Sequence, residues 1–245
     1  MTTAEKLTQI AENQQRVYDA GLAQGQSMGG YAEGQQAEYD RFWDLYQKNG
    51  TLRSSNGFFA GCGWNPNTLK PKYSIRPTSA AMMFYRCNTH SDNATIDLTK
   101  IFDDRGLTLD FSECTDFQQI FYGAKIETVG TIDCSKASGS NQVLNIFNTE
   151  YLRKVRGFIP PDIALPVAAF QTNLEQLIVK GAVTKSINLS RCSKLTDASI
   201  QSIFDNLTDL TGQTAQTITL HATVGGKLTQ AQKDIASARN WTLAY

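Results

Sequence analysis

Apolar side chains in the second two-thirds of the chain recur in two interlocking phrases. The first is an apolar residue, then phenylalanine, then a turn: Met83-Phe84, Ile120-Phe121, Ile146-Phe147, Ala169-Phe170 and Ile203-Phe204. In three copies a pair of aliphatic positions follows at short range, namely Ile126 and Val129, Leu152 and Val155, Leu174 and Leu177. The second phrase alternates: Ile96-Asp97-Leu98-Thr99, Leu109-Asp110-Phe111-Ser112, Ile132-Asp133-Cys134-Ser135, Ile187-Asn188-Leu189-Ser190 and Ile218-Thr219-Leu220-His221. Alternation of this kind predicts a short strand with one buried face. Phe121, Phe147 and Phe170 are 26 and 23 residues apart, while the steps from Phe84 to Phe121 and from Phe170 to Phe204 are longer and imply insertions or degenerate units. A unit this short cannot bury an apolar face alone and must stack on copies of itself.

The clearest unit runs from Ile187 to Ile200. Ile187 and Leu189 suit a strand, and Cys192 suits a small plug where the chain turns inward. Thr196 or Asp197 can cap a helix beginning near Ala198. Cys114 stands five after Leu109 as Cys192 stands five after Ile187, with Ala137 in the same place after Ile132. Strand, turn and helix in so short a span make the unit of a leucine-rich repeat. The expected fold is therefore α/β, a leucine-rich-repeat solenoid preceded by an N-terminal α-helical segment. Pro160-Pro161 and Pro166 mark one irregular connection. The stretch from Leu228 to Ile235 predicts a last helix, and Asn240 to Tyr245 a short strand closing the far end.

Residues 2–48 read differently: polar, rich in Gln, Ala and Glu, without Pro or Cys. Leu7, Ile10, Gln14, Val17 and Gly21 step alternately by three and four, as a coiled-coil seam does. Either this helix oligomerises, with Gln14 setting the register, or it is a one-sided surface helix. Gly21, Gly25 and Gly29-Gly30 interrupt it. A second helix over Tyr31 to Gln47 places Tyr39, Phe42, Trp43 and Tyr46 on one side, where they would cover the open first repeat. Three segments result: 1–48, a helical anchoring and oligomerisation segment; 49–80, a junction and N-terminal cap dense in Gly and Pro; and 81–245, the repeat domain.

Charge and chemistry narrow the function. The 23 basic and 23 acidic residues cancel, which gives no global field for nucleic acid or an anionic membrane. No apolar run is long enough to span a bilayer, and no signal-peptide core follows the first charges. Five cysteines, three of them at repeat positions, predict reduced buried thiols. His90 and His221 lie far apart without ligand-like spacing, and neither Gly61-Cys62-Gly63 nor Gly29-Gly30 fits a phosphate-binding loop. Asp103-Asp104 reads as a solvated turn. No catalytic group, metal or cofactor is expected. One constellation remains: Asp97, Asp110, Asp133, Asn188 and Thr219, the middle residues of the alternating phrase. Stacked strands would line them on one concave face, to meet a basic partner or sugar hydroxyls, unless they bond to neighbouring backbone.

Four phrases carry a resemblance over nearly the whole chain: Gln36 to Tyr46, Phe59 to Asn65, Pro71 to Thr78, and Leu228 to Leu243. Together with the repeats, which look like the irregular bacterial surface kind with one cysteine-containing unit, they resemble small leucine-rich-repeat proteins encoded in tail regions of phages and prophages of gut Firmicutes. The resemblance implies a non-enzymatic virion tail or baseplate-associated protein, made in the host cytoplasm, with structural and binding roles. Its expected partners are a host surface protein or glycan, neighbouring tail proteins, and copies of itself held through Leu7, Ile10, Gln14 and Val17. The alternative is a bacterial cell-surface leucine-rich-repeat adhesin.

Overall fold

The computed structural model describes residues 71–87, 94–170 and 173–245, together with two short strands, β1 (Gln47–Lys48) and β2 (Thr51–Leu52). It is a mixed α/β fold built on parallel strands. β3 (Ser74–Ile75) pairs with β2 in parallel, and β2 pairs with β1 in antiparallel fashion. A four-stranded parallel sheet follows in the order β4 (Ile96–Asp97), β5 (Ile126–Asp133), β6 (Lys154–Ile159), β7 (Gln176–Val179). A third sheet holds β8 (Ile187–Leu189), β9 (Gln216–Leu220) and β10 (Trp241–Ala244), again parallel. Isolated parallel bridges, Ile75 to Leu109, Leu165 to Ile187 and Val183 to Leu207, extend the same pairing beyond the named strands. Among the described residues, no helix is long and apolar enough to cross a membrane.

The aliphatic pairs after each phenylalanine build the central sheet. Val129, Val155 and Leu177 are register partners on β5, β6 and β7, and all three are fully buried. On the opposite side of the core, the phenylalanines stack. Phe84 and Phe121 lie 5.6 Å apart, as do Phe147 and Phe170, and Phe158 meets Phe147 edge-on at 5.4 Å. The turns that carry these rings also bond to one another: Met82 N donates to Gln118 O (2.9 Å), Gln119 N to Leu144 O (3.0 Å), and Phe147 N to Ala169 O (2.9 Å). Three of the four turns have a left-handed residue two places before the phenylalanine: Met82, Gln119 and Asn145, with φ of 54°, 55° and 56°. Asn adopts that conformation readily; for other L-residues it costs roughly 1–2 kcal/mol.

The alternating phrase behaves less uniformly than its sequence suggests. Ile96-Asp97 forms strand, but helix α1 (Leu98–Asp103) starts at once, because Asp97 caps Thr99 N and Lys100 N. Leu109 bridges Ile75, Ile132 pairs with Phe158 on β6, and Ile187 pairs with Leu165 and Ile218. The five copies therefore share parallel pairing without forming one ladder.

Toward the C-terminus helices replace turns. Helix α2 (Asp197–Asp205) is capped by Thr196, whose side chain accepts from Ser199 N, and it buries Ile200, Ile203 and Phe204. A short helix α3 (Ala222–Gly225) and helix α4 (Gln230–Ala238) follow, the latter opened by a capping box of Thr229 and Gln232. Trp241 Nε1 donates to Thr208 O at 2.8 Å and seats β10 against the preceding unit. The expected last helix and last strand are thus both present, starting two residues and one residue later than the pattern places them. Gln47, the expected end of the second N-terminal helix, is instead in β1; the Asn49-Gly50 that follows is a strong hairpin signal. Leu7, Ile10, Gln14, Val17 and the aromatic stripe at Tyr39, Phe42, Trp43 and Tyr46 lie outside the described residues.

Candidate binding face

The polar residues in the middle of the alternating phrase do one local job. Oδ1 of Asp97 accepts from Thr99 N (3.0 Å), that of Asp110 from Ser112 N (2.9 Å), that of Asp133 from Ser135 N (2.9 Å), and that of Asn188 from Ser190 N (3.1 Å). A side-chain oxygen bonded two residues ahead ends the strand and turns the chain. This accounts for the pairing of Asp or Asn with Ser or Thr in the sequence. Of the five, only Asn188 and Thr219 face each other in register; Asp97 faces Thr128, and Asp133 faces Ile159. Asp110 carries a second partner, Arg76, whose Nε is 3.1 Å from Oδ2, though not aligned as a hydrogen bond. His221, like the Asx residues, accepts locally, from Thr223 N at 3.1 Å. His90 lies outside the described residues.

The thiols are structural. Among the described residues Cys87, Cys114, Cys134 and Cys192 form no disulfide, and all four are buried. Burial pushes the Cys114 thiol up to about 11 and the Cys192 thiol up to about 12, and holds Cys134 well above the ordinary thiol range. Such groups stay protonated and unreactive at neutral pH. Asp103 and Asp104 are exposed at the end of α1.

A different set of side chains gathers on the open face of the central sheet. Thr128, Lys154 and Gln176 are register partners across β5, β6 and β7. Beyond them the β6–β7 register shifts, so that Arg156 and Gly157 together face the single Ile178. Such a bulge redirects the side chains around it. Arg156 reaches across β5 to Asp97 on β4, at 3.3 Å. Gly130 is the β5 residue opposite Arg156, and a Cβ there would meet Thr99 Cγ2 at 3.5 Å. Gly157 is fixed by crowding: a Cβ there would sit 2.5 Å from Thr131 Oγ1 and 3.1 Å from the Lys180 stem. Lys154, Arg156, Glu175, Gln176 and Thr196 line a groove of about 590 Å³ here, with Glu175 held by Arg153 at 3.0 Å. A second cleft, about 360 Å³, lies between α2 and α4 over Leu195, Ile200, Val224 and Leu228.

The central-sheet groove is not where the alternating phrase pointed, since its cations come from the strand after the phenylalanine turn. Two signals mark it in the sequence. Lys154-Val155-Arg156 alternates as a half-buried strand does, and residues 176–196 hold Lys180, Lys185, Arg191 and Lys194 with no acidic residue. No family model matches the chain, and no curated protein or solved structure is similar to it.

Proposed function

We propose that the chain is a leucine-rich-repeat solenoid acting as a non-enzymatic binding and structural subunit of a phage tail or baseplate. The observation that carries the repeat reading is the double periodicity at one step. Lys154 pairs with Gln176 while Phe147 stacks on Phe170, so strand and turn advance together from unit to unit. A binding role is favoured over a catalytic one by the use made of the acidic side chains. Asp97, Asp110 and Asp133, the three carboxylates that the alternating phrase offers, each hold one of the chain's own turns, and Asp97 and Asp110 also meet arginines. The virion assignment rests on the four phrases that resemble phage tail-region proteins, and the solenoid would then contact a host surface or neighbouring tail proteins. Residues 1–48 would anchor and oligomerise it through Leu7, Ile10, Gln14 and Val17.

The test is to purify particles and look for this subunit by antibody labelling and peptide mass spectrometry. Labelling at the tail tip supports the proposal; its absence from intact particles, with the protein abundant on cells free of prophage, overturns it in favour of an adhesin. Light scattering on the full chain tests the anchor: a monomer removes the oligomerising role from residues 1–48.

A further inference from the structure

We propose that the groove on the open face of β6 and β7 binds a polysaccharide bearing sugar carboxylates. The proposal rests on reading this face as a contact surface and adds the chemistry of what it contacts.

Two cations, Lys154 and Arg156, line the groove, and a third, Lys180, lies beside it with its stem against Gly157. Lys154 and Lys180 are exposed, and neither has a carboxylate within ion-pair distance among the described residues. Arg156 meets Asp97 through a single nitrogen, and its side chain is 51% exposed, so the rest of its planar donor fork is open to a second carboxylate. Two of the nearby carboxylates are already engaged, Asp97 by Arg156 and Glu175 by Arg153. The cations are also held in place. The Lys180 stem lies against Gly157, and Arg156 is tied to Asp97 at 3.3 Å.

What surrounds the cations defines the rest of the ligand. Gln176, Thr196 and the bound Glu175 offer amide, hydroxyl and carboxylate groups that suit sugar hydroxyls. Among the described residues the phenylalanines are buried in the core and Tyr85 and Tyr122 stack along the turns, and no aromatic side chain lines the groove to offer a stacking platform for nucleic-acid bases. A polymer with one carboxylate per sugar and several hydroxyls matches separated point cations set among neutral hydrogen-bonding groups.

The experiment is isothermal titration of the full chain with oligogalacturonate, neutral dextran, poly(glycerol phosphate) and an oligothymidylate, at low and near-physiological salt. The wild type should bind oligogalacturonate in a salt-sensitive way and leave dextran unbound. The double variant Lys154→Glu, Lys180→Glu should lose at least roughly tenfold in affinity. Lys227→Glu, which lines the other cleft, should bind as the wild type does. Equal affinity in the double variant, no binding of oligogalacturonate, or stronger binding of the phosphate polymer or the oligonucleotide would each overturn the proposal. Circular dichroism of each variant separates lost binding from lost fold. If oligogalacturonate fails while the double variant still abolishes attachment of particles to cells, the ligand class falls and the contact surface stands.

Discussion

The central sheet and the C-terminal sheet are both parallel, yet the chain returns between their strands in different ways. From β4 to β7 each return includes a tight turn carrying a phenylalanine, with left-handed residues at Gln119 before β5 and Asn145 before β6. From β8 to β10 it includes a capped helix, α2 or α4, and the fifth phenylalanine, Phe204, lies on α2. The turn region satisfies its backbone by bonding each turn to the next, as from Gln119 N to Leu144 O. The helical region satisfies its backbone within each helix and at caps such as Thr196 and Thr229. Stability in the first region should therefore depend on neighbours, and in the second on local signals.

Four measurements break or sharpen that contrast. The largest effect should come from Phe147→Ala, which removes a ring shared by Phe158 and Phe170. A loss of about 3–5 kcal/mol is expected by urea denaturation, with protection in hydrogen exchange falling across β5 to β7 before β8 to β10. Uniform loss of protection would show that the two regions do not differ in this way. Next is the alkaline limit set by Cys192. Its thiol ionises at about 12 when folded against 9.0 when exposed, so the unfolded chain releases the proton first. The stability it contributes is complete below pH 9.0 and is lost as pH rises toward 12. Cys192→Ala should flatten that part of the pH profile, and a profile unchanged by the substitution would refute the assignment.

A smaller effect belongs to the helical region. Thr196→Ala deletes the α2 cap and should lower stability by about 1 kcal/mol, with exchange increasing mainly within α2. The smallest change is a gain. Gln119→Asn places at φ 55° a residue that tolerates it, as Asn145 does one unit later. The thermal midpoint should rise by an amount equivalent to a few tenths to about 1 kcal/mol; a fall would mean that the Gln119 side chain has packing worth more than the relieved strain.

How legible all this was in the sequence depends on which interaction set each feature. Local chemistry was readable: Thr196 before Asp197 fixed the start of α2, and Leu228 to Tyr245 gave a helix and strand nearly in place. The phenylalanine phrase marked the turn column because its apolar ring must be buried wherever the turn sits. The alternating phrase left two readings open, a shared face or bonds to neighbouring backbone, and four of its five middle residues make the backbone bond. Its Asp and Asn residues were aligned on paper by their shared pattern, but that pattern encodes a strand-ending turn, a purely local device. The groove depends on a register shift at Arg156 and Gly157 and on the reach of Arg156 across the sheet to Asp97. Both arise from pairing between distant segments, which residue spacing alone does not determine.

The turn-to-turn bonds also dictate how such a chain can change length. An extra residue in one turn would move its donors out of line with the neighbouring acceptors, and the mismatch would propagate through every stacked ring beyond it. An insertion of one whole unit, by contrast, would present the same donors, acceptors and phenylalanine at both of its ends. Changes of length therefore fall in the connections between the turns, where the phenylalanine steps already differ, 26 residues against 23.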